Sequence, residues 1–372
     1  LELTKNCNFR CRYCFEDFKG GFFEQTPIFI HRIKQLLDSS FFKKRYHLLN
    51  IGFWGGEPTL NFKAVQGITQ FFAKDDRVKF SIYTNGYNLS TFIDTFIRFR
   101  DFRMLGGHPK FSVQVSYDGM PIHDIYRVKA DGTLTSSVVR SNIDLLNKER
   151  IPNTLKSTIT PEVFKYMPDA YLDIRDIFES YTGTDFFKGH NYMPTIEYYK
   201  ANTIDDLSIL EYNEVLKKSL IKIAGYEIKH FEKYESFLLS WFNGGKALCS
   251  AGRDVIAMNV LGNIYVCHGC LYSEQKDDHY ITSLEDEDFI EKLNKYWLDF
   301  NTDFGCLPDE CQLCDTNFCL KCNLVKFENS NKIEYFDKWR DYSNQPALCA
   351  FYKTSGKIVK AIHKALDAQR RI

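Results

Sequence analysis

From Leu1 to Ile159, short runs rich in β-branched and aromatic residues alternate with amphipathic stretches, the pattern of repeated strand–helix units. The expected strands are LELT (1–4), HLLNIGFW (47–54), VKFSIYT (78–84), KFSVQVS (110–116) and NTLKSTI (153–159). Between them, IFIHRIKQLLDSS, FKAVQGITQFFAK, STFIDTFIRF and SSVVRSNIDLLNK place apolar residues three and four apart, so each predicts a helix with one buried face. Strands joined by helical crossovers pair in parallel with right-handed connections and curl towards an α/β barrel. The functional rim of such a fold is the set of strand C-terminal ends.

Beyond Pro161 the signal weakens. PDAYLDIRDIFESY reads as helix, HNYMPTIEYY as a last strand, and LEYNEVLKKSLIKIAGYEIKHFEKYESFLLSWF as a long helical passage. From Gly244 onward Gly and Cys dominate, until the tail SGKIVKAIHKALDAQRR returns to helix. The expected division is a barrel over 1–195, a helical bridge over 196–245, a cysteine-rich domain over 246–350 and a C-terminal helix over 351–372. A loop-rich segment of that size depends on bound metal for much of its stability, as small cores do.

The twelve cysteines fall in two groups. Cys7, Cys11 and Cys14 form the first; Cys249, Cys267, Cys270, Cys306, Cys311, Cys314, Cys319, Cys322 and Cys349 form the second. Disulfide frameworks belong to short secreted chains, whereas clustered cysteines in 372 residues with no charged-then-apolar leader point to metal. Lys+Arg and Asp+Glu balance at 48 each, so no overall field draws nucleic acid or an anionic membrane. No apolar run approaches the roughly 20 residues that span a bilayer. The expectation is a soluble, cytoplasmic protein with neither a nucleic-acid nor a membrane partner. The chain opens at Leu1, inside a strand, which leaves room for an accessory domain upstream. Its 22 Tyr and 32 Phe are read as packing rather than as a binding groove.

The first group, CNFRCRYC, is spaced C-x3-C-x2-C on a loop that follows the first strand. Three thiolates can hold three irons of a 4Fe-4S cluster and leave the fourth iron open to a substrate or cofactor. A zinc site completed by a distant residue is the alternative, although the x3 spacing and the lack of a nearby His speak against it. Later strands end in WGGEP (Trp54–Pro58), TNG (Thr84–Gly86) and VSYDG (Val115–Gly119), the last followed by HDIYR (His123–Arg127). Each could be a plain glycine turn if it stood alone.

Taken together, in this order and at strand ends, these segments resemble the radical SAM superfamily, whose hallmark is the C-x3-C-x2-C spacing with an aromatic, here Tyr13, before the third cysteine. The resemblance implies a partial (β/α)6, TIM-like barrel in which Cys7, Cys11 and Cys14 hold a cluster that S-adenosylmethionine chelates. It further implies that Tyr13, Trp54, Gly55, Gly56, Glu57, Thr84, Asn85, Ser116 and Asp118 lie near that cofactor and that Arg127 binds its carboxylate, a pairing an Arg can make bidentate.

The second group resembles the SPASM extension of that superfamily, which carries auxiliary 4Fe-4S clusters. Cys249-x12-Gly262-x4-Cys267 fits its first half, whereas CQLCDTNFCLKC departs from its second by shorter spacings. Interleaved ligation as in that family implies Cys249, Cys267 and Cys322 on one auxiliary cluster, with Cys270 as its fourth ligand, and Cys311, Cys314, Cys319 and Cys349 on another. Cys306 would then be spare. Zinc knuckles are the alternative for the C-x2-C pairs. The expected cofactors are therefore S-adenosylmethionine and three 4Fe-4S clusters.

Proteins of this kind mostly modify peptides or proteins, with flavodoxin or ferredoxin as reducing partner. WGGEPTLNF and RVKADGT resemble the members that mature ribosomally made peptides, and the irregular cysteine spacing departs from the sulfatase-maturating pattern, so the resemblance implies a maturase that crosslinks such a peptide through a thioether, C–C or C–O bond. An anaerobic sulfatase-maturating enzyme, forming formylglycine from Cys or Ser, is the alternative. A non-catalytic iron–sulfur or peptide-binding protein is a third reading, which the intact Cys7, Cys11, Cys14, Glu57 and Arg127 oppose. No general acid or base is assigned, Tyr192 and Glu197 being ordinary packing and surface residues.

Overall fold

The computed structural model describes residues 1–14, 16, 18, 20–104, 106–180, 192–196, 206–230, 246–248, 254–272, 276–302, 319–321 and 346–369. Cys249, Cys306, Cys311, Cys314, Cys322, Glu197 and the end of the long helical passage lie outside the described residues.

Six strands, β1 (Glu2–Thr4), β2 (Leu49–Gly55), β3 (Val78–Thr84), β4 (Phe111–Ser116), β5 (Asn153–Ile159) and β6 (Tyr192–Ile196), form one sheet in chain order. Every neighbouring pair is parallel. Helices α1 (Thr26–Asp38), α2 (Ser40–Arg45), α3 (Phe62–Phe71), α4 (Ile93–Arg100), α5 (Ile122–Tyr126), α6 (Ser136–Lys148) and α7 (Met167–Glu179) lie in the connections. The partial α/β barrel expected from the alternating pattern is thus present.

The two faces of the sheet differ in chemistry. Phe53, Phe80, Ile82, Phe111, Val113, Val115 and Leu155 are buried on the helix-covered face, where Phe99 of α4 tilts against Phe111 with ring centroids 4.7 Å apart. On the other face Ser81 hydrogen-bonds both Asn50 (3.2 Å) and Ser112 (3.3 Å), and half-buried Gln114, Ser116 and Lys156 continue the polar surface. Closed barrels of this type fill their interior with bulky branched side chains. Here the strand period of two sends the apolar set outward to the helices and leaves the concave face polar.

Two helix expectations change. The single helix expected over 28–40 is interrupted at Ser39, whose extended backbone (φ −68°, ψ 152°) ends α1. Its hydroxyl accepts from the Phe42 N–H at 3.1 Å and starts α2. The stretch expected as helix over 90–99 opens as a 3₁₀ turn, Leu89–Phe92, before α4.

After the barrel, α8 (Asp206–Lys229) packs with α10 (Pro346–Gln369) in a second apolar cluster that includes Leu216, Leu220, Val359 and Ile362. The C-terminal helix therefore begins ahead of the boundary expected at 351 and carries Cys349. Strand β7 (Lys246–Leu248) pairs in parallel with β11 (Cys319–Lys321), while β8 (Ala257–Met258), β9 (Asn263–Tyr265) and β10 (Tyr280–Ser283) form an antiparallel sheet followed by α9 (Phe289–Thr302). That sheet shares the barrel's core: Met258, Ile264, Leu284 and Phe289 belong to the same buried cluster as Phe23 and Phe29. Polar ties reinforce the docking, since the Val260 N–H donates to buried Glu2 (3.1 Å) and Arg32 Nε donates to the Leu284 carbonyl (2.8 Å). Among the described residues no helix is long and apolar enough to cross a membrane.

Candidate functional site

The cysteine loop leaves β1 and lies across the end of β2. Gly56 N donates to Thr4 O and Glu57 N to Asn6 O, each at 2.8 Å. This approach requires both glycines: a Cβ on Gly55, whose φ is +137°, would stand 2.2 Å from the Thr4 carbonyl oxygen, and one on Gly56 2.4 Å from that of Asn6. The loop's other side runs antiparallel to residues 126–129, with Arg10 N donating to Val128 O (2.7 Å) and Arg12 N to Tyr126 O (3.1 Å). Phe9, fully buried, wedges edge-on against Tyr87 and anchors the loop in the apolar core.

The three thiols sit half-buried within this frame. Phe9 N donates to Cys7 Sγ at 3.4 Å, and Asn85 Nδ2 lies 3.8 Å from the same sulfur while donating to Asn8 Oδ1 at 2.7 Å. Burial, with the negative charge of Glu57 adding to it, pushes the Cys7 thiol up to about 12; burial likewise raises Cys11 to about 11 and Cys14 above its ordinary value. As free groups these are neutral thiols, and a bound cation is what would draw off their protons. Amide donors directed at sulfur suit iron–sulfur ligation. Among the described residues no three His, Cys, Asp or Glu side chains meet at the spacing of a single ion.

Glu57 and the TNG segment form one buried unit. Glu57 Oε1 accepts from Thr59 N (3.0 Å), Thr59 Oγ1 (2.7 Å) and Thr84 Oγ1 (2.7 Å), and Oε2 accepts from Asn85 N (2.7 Å). Burial raises its carboxyl above the usual range, against the opposing pull of these four donors. The carboxylate joins the end of β2 to the end of β3, and Asn85 passes the connection on to the cysteine loop.

At the end of β4 the expected residues also converge. Asp118 is fully buried; its Oδ2 accepts from Arg127 Nε (2.7 Å) and from the Tyr13 hydroxyl (2.9 Å), its Oδ1 from Arg127 Nη2 (3.1 Å) and Thr158 N (2.8 Å). The Arg127 guanidinium lies 5.2 Å over the Tyr13 ring. Its Nε and Nη2 are directed at an internal carboxylate rather than outward. Ser116 closes β4 beside Lys156 of β5. Sequence reasoning assigned no role to His123, Thr135, Asn8 or Thr158. His123 stands in the HDIYR stretch that was singled out, but nothing local announces which groups it meets.

Of the second cysteine group, Cys267 precedes the 3₁₀ turn His268–Tyr272 and Cys270 lies within it, their sulfurs 3.6 Å apart. The hydrogen bond between the two thiols draws Cys267 down to about 7. His268, between them, meets Trp54 at the end of β2 edge-on at 5.8 Å, which brings this turn to the barrel rim. Cys319 lies on β11 and Cys349 on α10.

Residues 1–172 match the family described as the radical SAM superfamily. Among curated relatives, the radical SAM cyclopropyl synthase TigE of Paramaledivibacter caminithermalis is 21% identical over 357 residues, 91% of this chain and 70% of that protein. A cysteine-type anaerobic sulfatase-maturating enzyme of Clostridium novyi is 22% identical over 313 residues, 78% of this chain and 77% of its own. In fold, the chain is similar to anSMEcpe with bound AdoMet, at a TM-score of 0.66 and 16% identity over 100% of this chain and 95% of that one. It is similar also to Streptococcus suis SuiB bound to S-adenosylmethionine, at 0.50 and 13% over 85% and 70%.

Proposed function

We propose that the chain is a radical SAM superfamily enzyme, the family whose model matches its residues 1–172, and that it is a maturase that oxidises a ribosomally made peptide to a crosslink. The observation that carries the reading is the cysteine loop itself: three thiols on the barrel rim, laid over Gly55 and Gly56 and fastened to Glu57 through Asn85. A 4Fe-4S cluster with S-adenosylmethionine bound there would supply hydrogen-atom abstraction from the substrate, with one electron delivered by an external reductant such as flavodoxin or ferredoxin.

The chain's own residues have the following tasks. Cys7, Cys11 and Cys14 would hold the cluster, and Gly55 and Gly56 would let the backbone approach the cofactor's amino group, with Glu57 in support. Ser116 and Asp118 lie near the cofactor, with Tyr13, Trp54, Thr84 and Asn85 around it, while Arg127 holds Asp118 through Nε and Nη2. The polar concave face from Asn50 to Lys156 receives the peptide. Cys267 and Cys270, on either side of the His268 that meets Trp54, would hold part of an auxiliary cluster that Cys249 and Cys322 complete; Cys311, Cys314, Cys319 and Cys349 would hold a second. A cysteine-type relative that matures sulfatases, aligned over 78% of this chain, favours a second reading in which a Cys is oxidised to formylglycine.

Anaerobic protein treated with dithionite and S-adenosylmethionine is expected to release 5′-deoxyadenosine and to contain about twelve irons with matching sulfide, four per cluster. Absence of the nucleoside with candidate peptide present defeats the enzyme reading; about four irons plus zinc defeats the auxiliary assignment. A peptide lighter by two hydrogens with a new crosslink supports the maturase. Conversion of a Cys to formylglycine supports the second reading instead.

A further inference from the structure

A closed ring of buried polar groups stands beside the cysteine loop. His123 is fully buried, and its Nδ1 accepts from the Asp118 backbone N–H at 3.4 Å, which leaves the ring proton on Nε2. Nε2 donates to Thr135 Oγ1 (3.1 Å), and that hydroxyl donates to the Arg127 carbonyl (2.5 Å). The Arg127 side chain returns to Asp118 through two hydrogen bonds. Asp118 spends its remaining capacity on Thr158 N, at β5, and on the Tyr13 hydroxyl. Tyr13 lies between Cys11 and Cys14, and the backbone bonds from Arg10 and Arg12 land on Val128 and Tyr126, the two neighbours of Arg127. The main chain on either side of Arg127 thus holds the loop, while Arg127 itself is held at backbone and side chain by the ring.

We propose that Asp118 is a positioning residue that, through Arg127 and Tyr13, sets where the Cys11–Cys14 limb of the loop stands over the ends of β4 and β5, with His123 bracing Arg127 from behind. The inference rests on the cluster reading for its spectroscopic consequence alone, because the anchoring is a property of the protein. A buried carboxylate with four donors has little freedom to relax when its charge is removed, so the loop is the part that gives way.

The test compares wild type, Asp118→Asn, Tyr13→Phe and His123→Gln in the full chain, purified anaerobically. Hydrogen exchange in the peptide carrying the Arg10 and Arg12 amides is expected to quicken about tenfold in Asp118→Asn and by a smaller factor in Tyr13→Phe and His123→Gln, with β2 and β3 unchanged. The change that S-adenosylmethionine produces in the electron paramagnetic resonance signal of the reduced protein is expected to shift in Asp118→Asn and Tyr13→Phe, at unaltered iron content. Tyr13→Phe removes one hydroxyl and keeps the ring, so it decides the matter if Asp118→Asn does not fold. Unchanged loop exchange in the folded variants overturns the proposal, as does an unshifted signal. A wild-type signal that ignores S-adenosylmethionine would instead overturn the cluster reading, and exchange alone then judges the anchoring.

Discussion

Glu57 shows how much one side chain does here. Four donors from three residues meet on its two oxygens, and the carboxylate is wholly removed from solvent. Glu57→Gln places an amide where only acceptors fit, setting donor against donor, and is expected to lower unfolding free energy by about 3 kcal/mol in a denaturant titration. His123 makes a second prediction. Burial holds it at about 4, below the ordinary 6.5, so the unfolded chain takes up a proton that the folded chain refuses. Stability from this group is complete above pH 6.5 and is lost as pH falls towards 4, by about 2 kcal/mol at pH 5. The denaturation midpoint of His123→Gln should show a correspondingly smaller fall between pH 7 and pH 5. At this scale the sequence announced Cys7, Cys11, Cys14, Glu57 and Arg127, because each lies in a short motif with its own spacing. It was silent on Asn8, Thr135 and Thr158, whose partners Asn85, His123 and Asp118 are set by strand alignment.

Among the elements, β3 and β5 have the bounds read from sequence, and α6 spans 136–148 as expected. These segments carry clear periodicity: burial along β5 alternates without exception, with Asn153, Leu155, Ser157 and Ile159 buried and Leu155 and Ile159 supplying the apolar contacts. The break between α1 and α2 escaped notice because apolar spacing continues across it, with Leu36, Leu37 and Phe42 all buried. The hydroxyl of Ser39, bonded both to Leu36 O (2.6 Å) and from Phe42 N (3.1 Å), decides it. Ser39→Ala is therefore expected to cost about 1 kcal/mol, read as a shift of the thermal midpoint, without loss of the barrel.

For the whole molecule, the segment from β8 to α9 is part of the barrel's core rather than an appendage. Its apolar residues share a cluster with Phe23, Phe29 and Leu37, Glu2 receives the Val260 N–H, and Arg45 stacks over Trp297 at 4.3 Å. A chain ended at residue 253 would expose that face and leave the Glu2 carboxylate with a lost partner. It is expected to aggregate, or to unfold without a cooperative transition, by light scattering and circular dichroism. What the sequence determined by itself was the order of strands and helices, the partial barrel they make and the thiol loop on its rim, because periodicity and motif spacing are properties of neighbours along the chain. Only the tertiary structure decided that Arg127 closes on Asp118, that Glu57 ties β2 to β3, and that the Cys267–Cys270 turn meets Trp54. Those partners are separated by up to two hundred residues and more, and a hydrogen bond or contact between them exists only once packing has brought the strand ends to one rim.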